Sequence, residues 1–196
     1  MTRANSNVLI DQFTFEHSAT LDVFWVVGFT LLTAALAQIR IQFPFTPVPL
    51  TGQTFGVLLS GAVLGSRRGF SSQALYLAAG ALGLPVFAGG GFSVAYLLGP
   101  TGGYLWSFPL AAALMGWLVE RGASRESWRL ALSLLLCDAL ILVTGGLWLH
   151  FIYRFDYRQA ALLGFYPFLL GDILKIVLVG LTLPRILNRP EPLGRG

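Results

Sequence analysis

The sequence predicts an all-α integral membrane protein, a single membrane domain over residues 1–196 built as a bundle of six transmembrane helices. Three observations carry that expectation. Of 196 residues, 55% are hydrophobic and 11% charged, and the mean hydropathy is +0.70; a soluble domain needs far more charge to cover its surface. The apolar residues fall in long runs that approach the roughly 20 needed to cross a hydrocarbon core of about 30 Å. Stretches such as Leu130 to Val143 do not alternate as a membrane-spanning strand would, which argues for helices over a barrel.

The first run gives a helix over Leu21–Ile39. Asp11, Glu16 and Asp22 precede or open it and only Arg3 is basic there, so it is expected to be retained, not cleaved as a signal. Pro44, Pro47 and Pro49 stop the chain from continuing as helix, since proline lacks the N–H that continuation needs. Gln53–Ser66 and Gly69–Leu84 follow, short and separated only by the Arg67-Arg68 corner. They read as a tilted hairpin crossing twice; a re-entrant pair, leaving four spans, is the alternative. Gly103–Val119, Leu130–Phe151 and Ala160–Leu183 complete the set.

Cations then set the orientation. With six spans, one side receives Arg3, Arg67, Arg68, Arg121, Arg125, Arg129, Arg185, Arg189 and Arg195, and the other receives Arg40, Arg154 and Arg158. Both termini are therefore expected in the cytoplasm. The outward connections are Arg40 to Gln53 and Pro85 to Gly102, the second containing Gly89-Gly90-Gly91 and Gly99-Pro-Thr-Gly-Gly103. Both suit irregular backbone, yet neither carries the charge of an ordinary solvated loop. Such segments read as a lid or the wall of a ligand cavity near the outer face, because exposed backbone is not tolerated against lipid.

Composition and motifs also exclude several classes. The formal charge of +4 is explained by topology, not by nucleic-acid binding, and the lone Cys137 builds neither a disulfide nor a metal site. His17 and His150 lie far apart, and neither a His-Glu-x-x-His helix, a Gly-x-Ser-x-Gly elbow nor a Walker lysine motif occurs. The chain is thus expected to be no enzyme and to hold no cofactor.

Gly171-Asp172-Ile-Leu-Lys175 is the sharpest candidate for function. An aspartate and a lysine inside a span each cost at least about 2.5–3.5 kcal/mol on insertion scales. At i and i+3 they share a helix face. A ligand clamp is one reading, and a structural ion pair or a snorkelling lysine is the other. Lys175 is the only lysine in the chain, which favours the first. Asp138 reads as a structural partner for an arginine such as Arg67, Arg68 or Arg129, with ligand contact the lesser alternative. Gln53, beside Thr51 and Thr54, either contacts ligand or bonds the free groups of a helix end. Tyr104, Trp106 and Trp148 either stack on a ligand or anchor at the interface.

Several of these blocks resemble the biotin transporter BioY family. Ala37 to Phe55 is similar to its first outer loop. Leu64-Gly-Ser-Arg-Arg-Gly69, Gly83-Leu-Pro-Val-Phe-Ala-Gly-Gly90, Gly99-Pro-Thr-Gly-Gly-Tyr-Leu105, Gly145-Gly-Leu-Trp-Leu149 and Gly171-Asp-Ile-Leu-Lys175 follow in the family's order. The resemblance implies a substrate-binding S component of an energy-coupling factor (ECF) transporter, multi-pass in the inner (plasma) membrane, that captures biotin. It implies as partners an energy-coupling transmembrane protein and two cytosolic ABC-type ATPases, which alone would use ATP. On the same resemblance Asp172 and Lys175 form the polar end of the site, joined by Gln53, by Gly99, Thr101 and Gly102, and by Tyr104 as an apolar wall. Thr33 and Ala37 would supply the small-x-x-x-small spacing of the family's coupling surface. An S component for a different vitamin is the alternative, and an intramembrane enzyme a more distant one.

Overall fold

The computed structural model describes residues 19–168, and over them the chain is mainly helical. Helix α1 (Ala19–Gln38) is followed by a two-residue antiparallel ribbon, β1 (Arg40–Ile41) with β2 (Leu50–Thr51), pairing Arg40 with Thr51 and Ile41 with Leu50. Next come α2 (Gln53–Leu64), α3 (Ser66–Ala81), the short α4 (Val94–Leu97), α5 (Gly102–Glu120), α6 (Ser127–Tyr153) and α7 (Tyr157–Gly164). Three of these, α1, α5 and α6, are long and apolar enough to cross a membrane.

The α2/α3 corner is sharper than expected. It is made by Gly65 alone, at φ +82°, a conformation that a side chain would oppose. Arg67 and Arg68 consequently lie inside the first turn of α3. With 12 and 16 residues, these helices reach only about 18 and 24 Å at 1.5 Å per residue. Each falls short of a straight crossing, which leaves the residues at their outer ends to loops. Where the sequence predicts a helix from Ala160 to Leu183, a short helix runs Tyr157–Gly164 and the chain is helical again over 166–168; the rest of that expected span lies outside the described residues. A capping box starts α7: Asp156 Oδ1 accepts from Gln159 N (2.6 Å), and Gln159 Oε1 from Asp156 N (3.3 Å). Phe165, at φ −126° and ψ −62°, stops it.

Small residues bring the central helices together, as membrane helices require in the absence of a hydrophobic drive between them. A β-carbon on Gly61 would strike the Ala112 carbonyl and one on Gly116 the Gly65–Ser66 backbone, so α2, α3 and α5 touch almost backbone to backbone. Hydrogen bonds add to this. Gln73 Nε2 on α3 donates to Thr33 Oγ1 (3.2 Å) on α1 and to Ser60 Oγ (3.0 Å) on α2, and Thr30 Oγ1 donates to the Ser72 carbonyl (2.8 Å).

Thr33 and Ala37 are consequently fully buried inside the bundle. They offer no surface to a coupling partner, contrary to what their spacing implied.

The arginine-rich end is held by Arg68 Nε to Asp22 Oδ1 (2.8 Å), by Glu120 Oε1 accepting from Ser66 N (2.7 Å), and by Arg129 to Glu126 (3.1 Å). Asp138 is buried on α6. The opposite end of the bundle carries the two glycine- and proline-rich connections.

Candidate ligand-binding site

A cavity of about 500 Å³, its open mouth included, lies at that loop end. Its wall combines the first connection (Val48 to Thr51), the start of α2 (Gln53, Thr54), Tyr96 of α4, Thr101, the first half of α5 (Tyr104, Leu105, Phe108), Leu142 of α6 and Phe168. Most of this is apolar, with a few hydroxyls and one carboxamide to fix orientation.

The first connection closes over the cavity as a strap. Thr46, only 4% exposed, donates from Oγ1 to the Leu163 carbonyl of α7 (2.6 Å) and accepts from Val48 N (3.2 Å). Gln42 Nε2 donates to the Thr46 carbonyl (3.0 Å). The second connection is tied to α1, since Gln38 donates to the Phe87 carbonyl (3.2 Å) and accepts from Gly90 N (3.1 Å).

Gln53 opens α2 and is 6% exposed. Both ends of its amide are engaged: Oε1 accepts from Thr51 Oγ1 (2.9 Å) and Nε2 donates to the Tyr76 hydroxyl (2.6 Å). Tyr104 stands in the wall with its hydroxyl donating to the Gly164 carbonyl (2.6 Å) and its ring set against Gly145, where a β-carbon would collide with it. Thr101 also lines the cavity. Tyr96, which the sequence did not single out, stacks on Phe87 at 5.1 Å between centroids. Burial holds its hydroxyl above the usual tyrosine range, with the Thr101 side chain and Arg40 opposing, so it stays a neutral donor at physiological pH.

The resemblance implies that Gly99 and Gly102 meet ligand through their backbone, but neither belongs to the cavity wall. They lie behind it and shape the turn. Three successive carbonyls there are each taken by an aromatic donor: Leu97 by Trp106 Nε1 (3.1 Å), Leu98 by the Tyr153 hydroxyl (3.2 Å) and Gly99 by Trp148 Nε1 (3.0 Å). A side chain on Gly103 would strike Trp148 and one on Gly102 the Leu97 carbonyl. Trp106 and Trp148 therefore brace the turn. Asp172 and Lys175 lie outside the described residues.

A model of the BioY family matches residues 6–191. The chain belongs to the BioY family. It is similar to the "Biotin transporter BioY" of Thermotoga maritima, at 39% identity over 158 residues, 81% of this chain and 90% of that one. It is also similar to the "Biotin transporter BioY2" of Lactococcus lactis, at 39% over 163 residues, 80% and 86% of the two chains. Among solved structures, a crystal structure of "the S-component for biotin from an ECF-type ABC transporter" superposes with a TM-score of 0.81 at 24% identity, covering 90% of this chain and 96% of that one. The fold is therefore that of an S component.

Proposed function

We propose that this chain binds biotin in the cavity at its loop end and carries it across the cell's inner membrane as the S component of an ECF-type transporter. Six spans, with both termini in the cytoplasm, place that cavity outside. Release inward then depends on a coupling membrane protein and two ABC-type ATPases, since the chain holds no nucleotide motif of its own. The observation that carries the reading is the family match over residues 6–191, which spans every segment of the cavity wall.

The chemistry supports it. Biotin joins an apolar bicycle and chain to a ureido group and a carboxylate, and the wall joins aliphatic and aromatic surface to hydroxyls and one carboxamide. Asp172 and Lys175 follow Phe168, a wall residue, by four and seven positions in the sequence. In this reading the aspartate accepts from a ureido N–H and the lysine donates to an oxygen. Hydrogen bonds to charged groups contribute about 1.5–3 kcal/mol each.

The test is the melting temperature of the purified protein with and without biotin. Ligand at a hundred times its dissociation constant stabilises by about 2.7 kcal/mol, a readily seen upward shift. Asp172→Asn and Lys175→Ala are expected to abolish the shift while the ligand-free protein melts as before. No shift for the native chain, or an equal one with thiamine or riboflavin, overturns the substrate assignment.

A further inference from the structure

We propose that Tyr76 is a positioning residue for ligand recognition: from outside the cavity wall it fixes which way the Gln53 carboxamide points and so which hydrogen bonds that amide can offer. The inference rests on Gln53 meeting the ligand. Tyr76 sits on α3, fully buried, and takes no part in the wall. Its hydroxyl has one hydrogen, and this goes to the Val86 carbonyl (3.0 Å). Toward Gln53 the hydroxyl can then only accept. The nitrogen end of the amide must therefore be the end at 2.6 Å from Tyr76, an assignment made by the chemistry of the neighbours. Thr51 suits the same orientation from the other end, its hydroxyl donating to Oε1 (2.9 Å) and accepting from the Gln53 backbone N–H (3.3 Å).

An amide has two N–H groups and two oxygen lone pairs. One of each is used by these clamps, so one donor and one acceptor remain for a ligand. That pair is matched by a neutral group carrying N–H beside C=O, as a cyclic urea does. Tyr76 itself has little freedom. Its ring meets Phe87 edge-on at 5.4 Å and runs nearly parallel to Phe108 of the wall at 6.5 Å.

Tyr76→Phe keeps the ring and deletes the clamp. The test is a double-mutant cycle on the full purified chain, reading biotin dissociation constants by equilibrium dialysis for native, Tyr76→Phe, Gln53→Ala and the double variant. The expected result is a roughly tenfold loss for Tyr76→Phe in the native background and no further loss beside Gln53→Ala. Thr51→Val, at the half-buried strap, is expected to repeat the pattern and serves if Tyr76→Phe does not fold. Equal losses in both backgrounds, or none, overturn the proposal. A second readout needs no ligand: the side-chain N–H₂ resonances of Gln53 in ¹⁵N-glutamine-labelled protein. They are expected to shift in Tyr76→Phe, and unchanged resonances overturn the positioning role even if the native chain proves not to bind biotin.

Discussion

Tyr104 illustrates how far a residue can be read before its surroundings are known. The Gly-Pro-Thr-Gly-Gly-Tyr block marks it as a wall aromatic, and it is one. Its hydroxyl, however, serves Gly164, sixty positions along the chain, and no local pattern announces such a contact. Tyr104→Phe leaves that carbonyl without its donor in a buried place. A loss of about 1–3 kcal/mol is expected, read as a lower melting temperature together with weaker biotin binding. Gln53 was visible as a polar residue at the start of a helix, either a ligand contact or a helix-end partner, and it stands in the cavity wall bonded to Thr51 and Tyr76. Gly99 and Gly102 are a different case. Their glycine character was visible, but what crowds them is backbone and indole: the Tyr96 carbonyl at Gly99, and the Leu97 carbonyl with Trp148 of α6 at Gly102. Phe108 and Leu142 gave no signal at all, since an apolar side chain facing a cavity and one facing lipid look alike in a hydrophobic run.

Helices were legible where glycine or proline punctuates them and less so elsewhere. Pro44 to Pro49 separates α1 from α2, and Gly83, at φ +102°, lies just past the end of α3. The end of α7 is punctuated as well, by Gly164 and Pro167, but a break there is not what an unbroken apolar run from Ala160 predicts. The faces of α1 could not be told apart either: Thr33 and Ala37 look inward, while a β-carbon added at Gly28 would find no heavy atom within 4 Å. This contrast gives a prediction on helix association. Gly61→Ala drives a methyl group into the Ala112 carbonyl and is expected to destabilise by about 1–3 kcal/mol. Gly28→Ala meets open space and is expected to melt within about 0.5 kcal/mol of native. Thermal unfolding of the two variants side by side checks both.

At the scale of the whole molecule, charge did more than hydropathy. Arg67, Arg68, Arg121, Arg125 and Arg129 gather at one end of the bundle and both irregular connections at the other, as their segregation in the sequence required. Cys137, the only cysteine, is buried, so single cysteines report orientation against a silent background. In intact cells Leu84→Cys is expected to react with a membrane-impermeant maleimide, and Arg125→Cys only after the membrane is opened. The opposite pattern inverts the topology. One contact reaches further than binding. The strap that carries Thr46 is anchored on Leu163, 117 residues later, and Phe168 completes the wall around it. A ribosome that has made the first four helices has therefore made no finished pocket. The growing chain must hold its strap unanchored until Leu163 and Phe168 have been made, and only then can the wall close around its cargo.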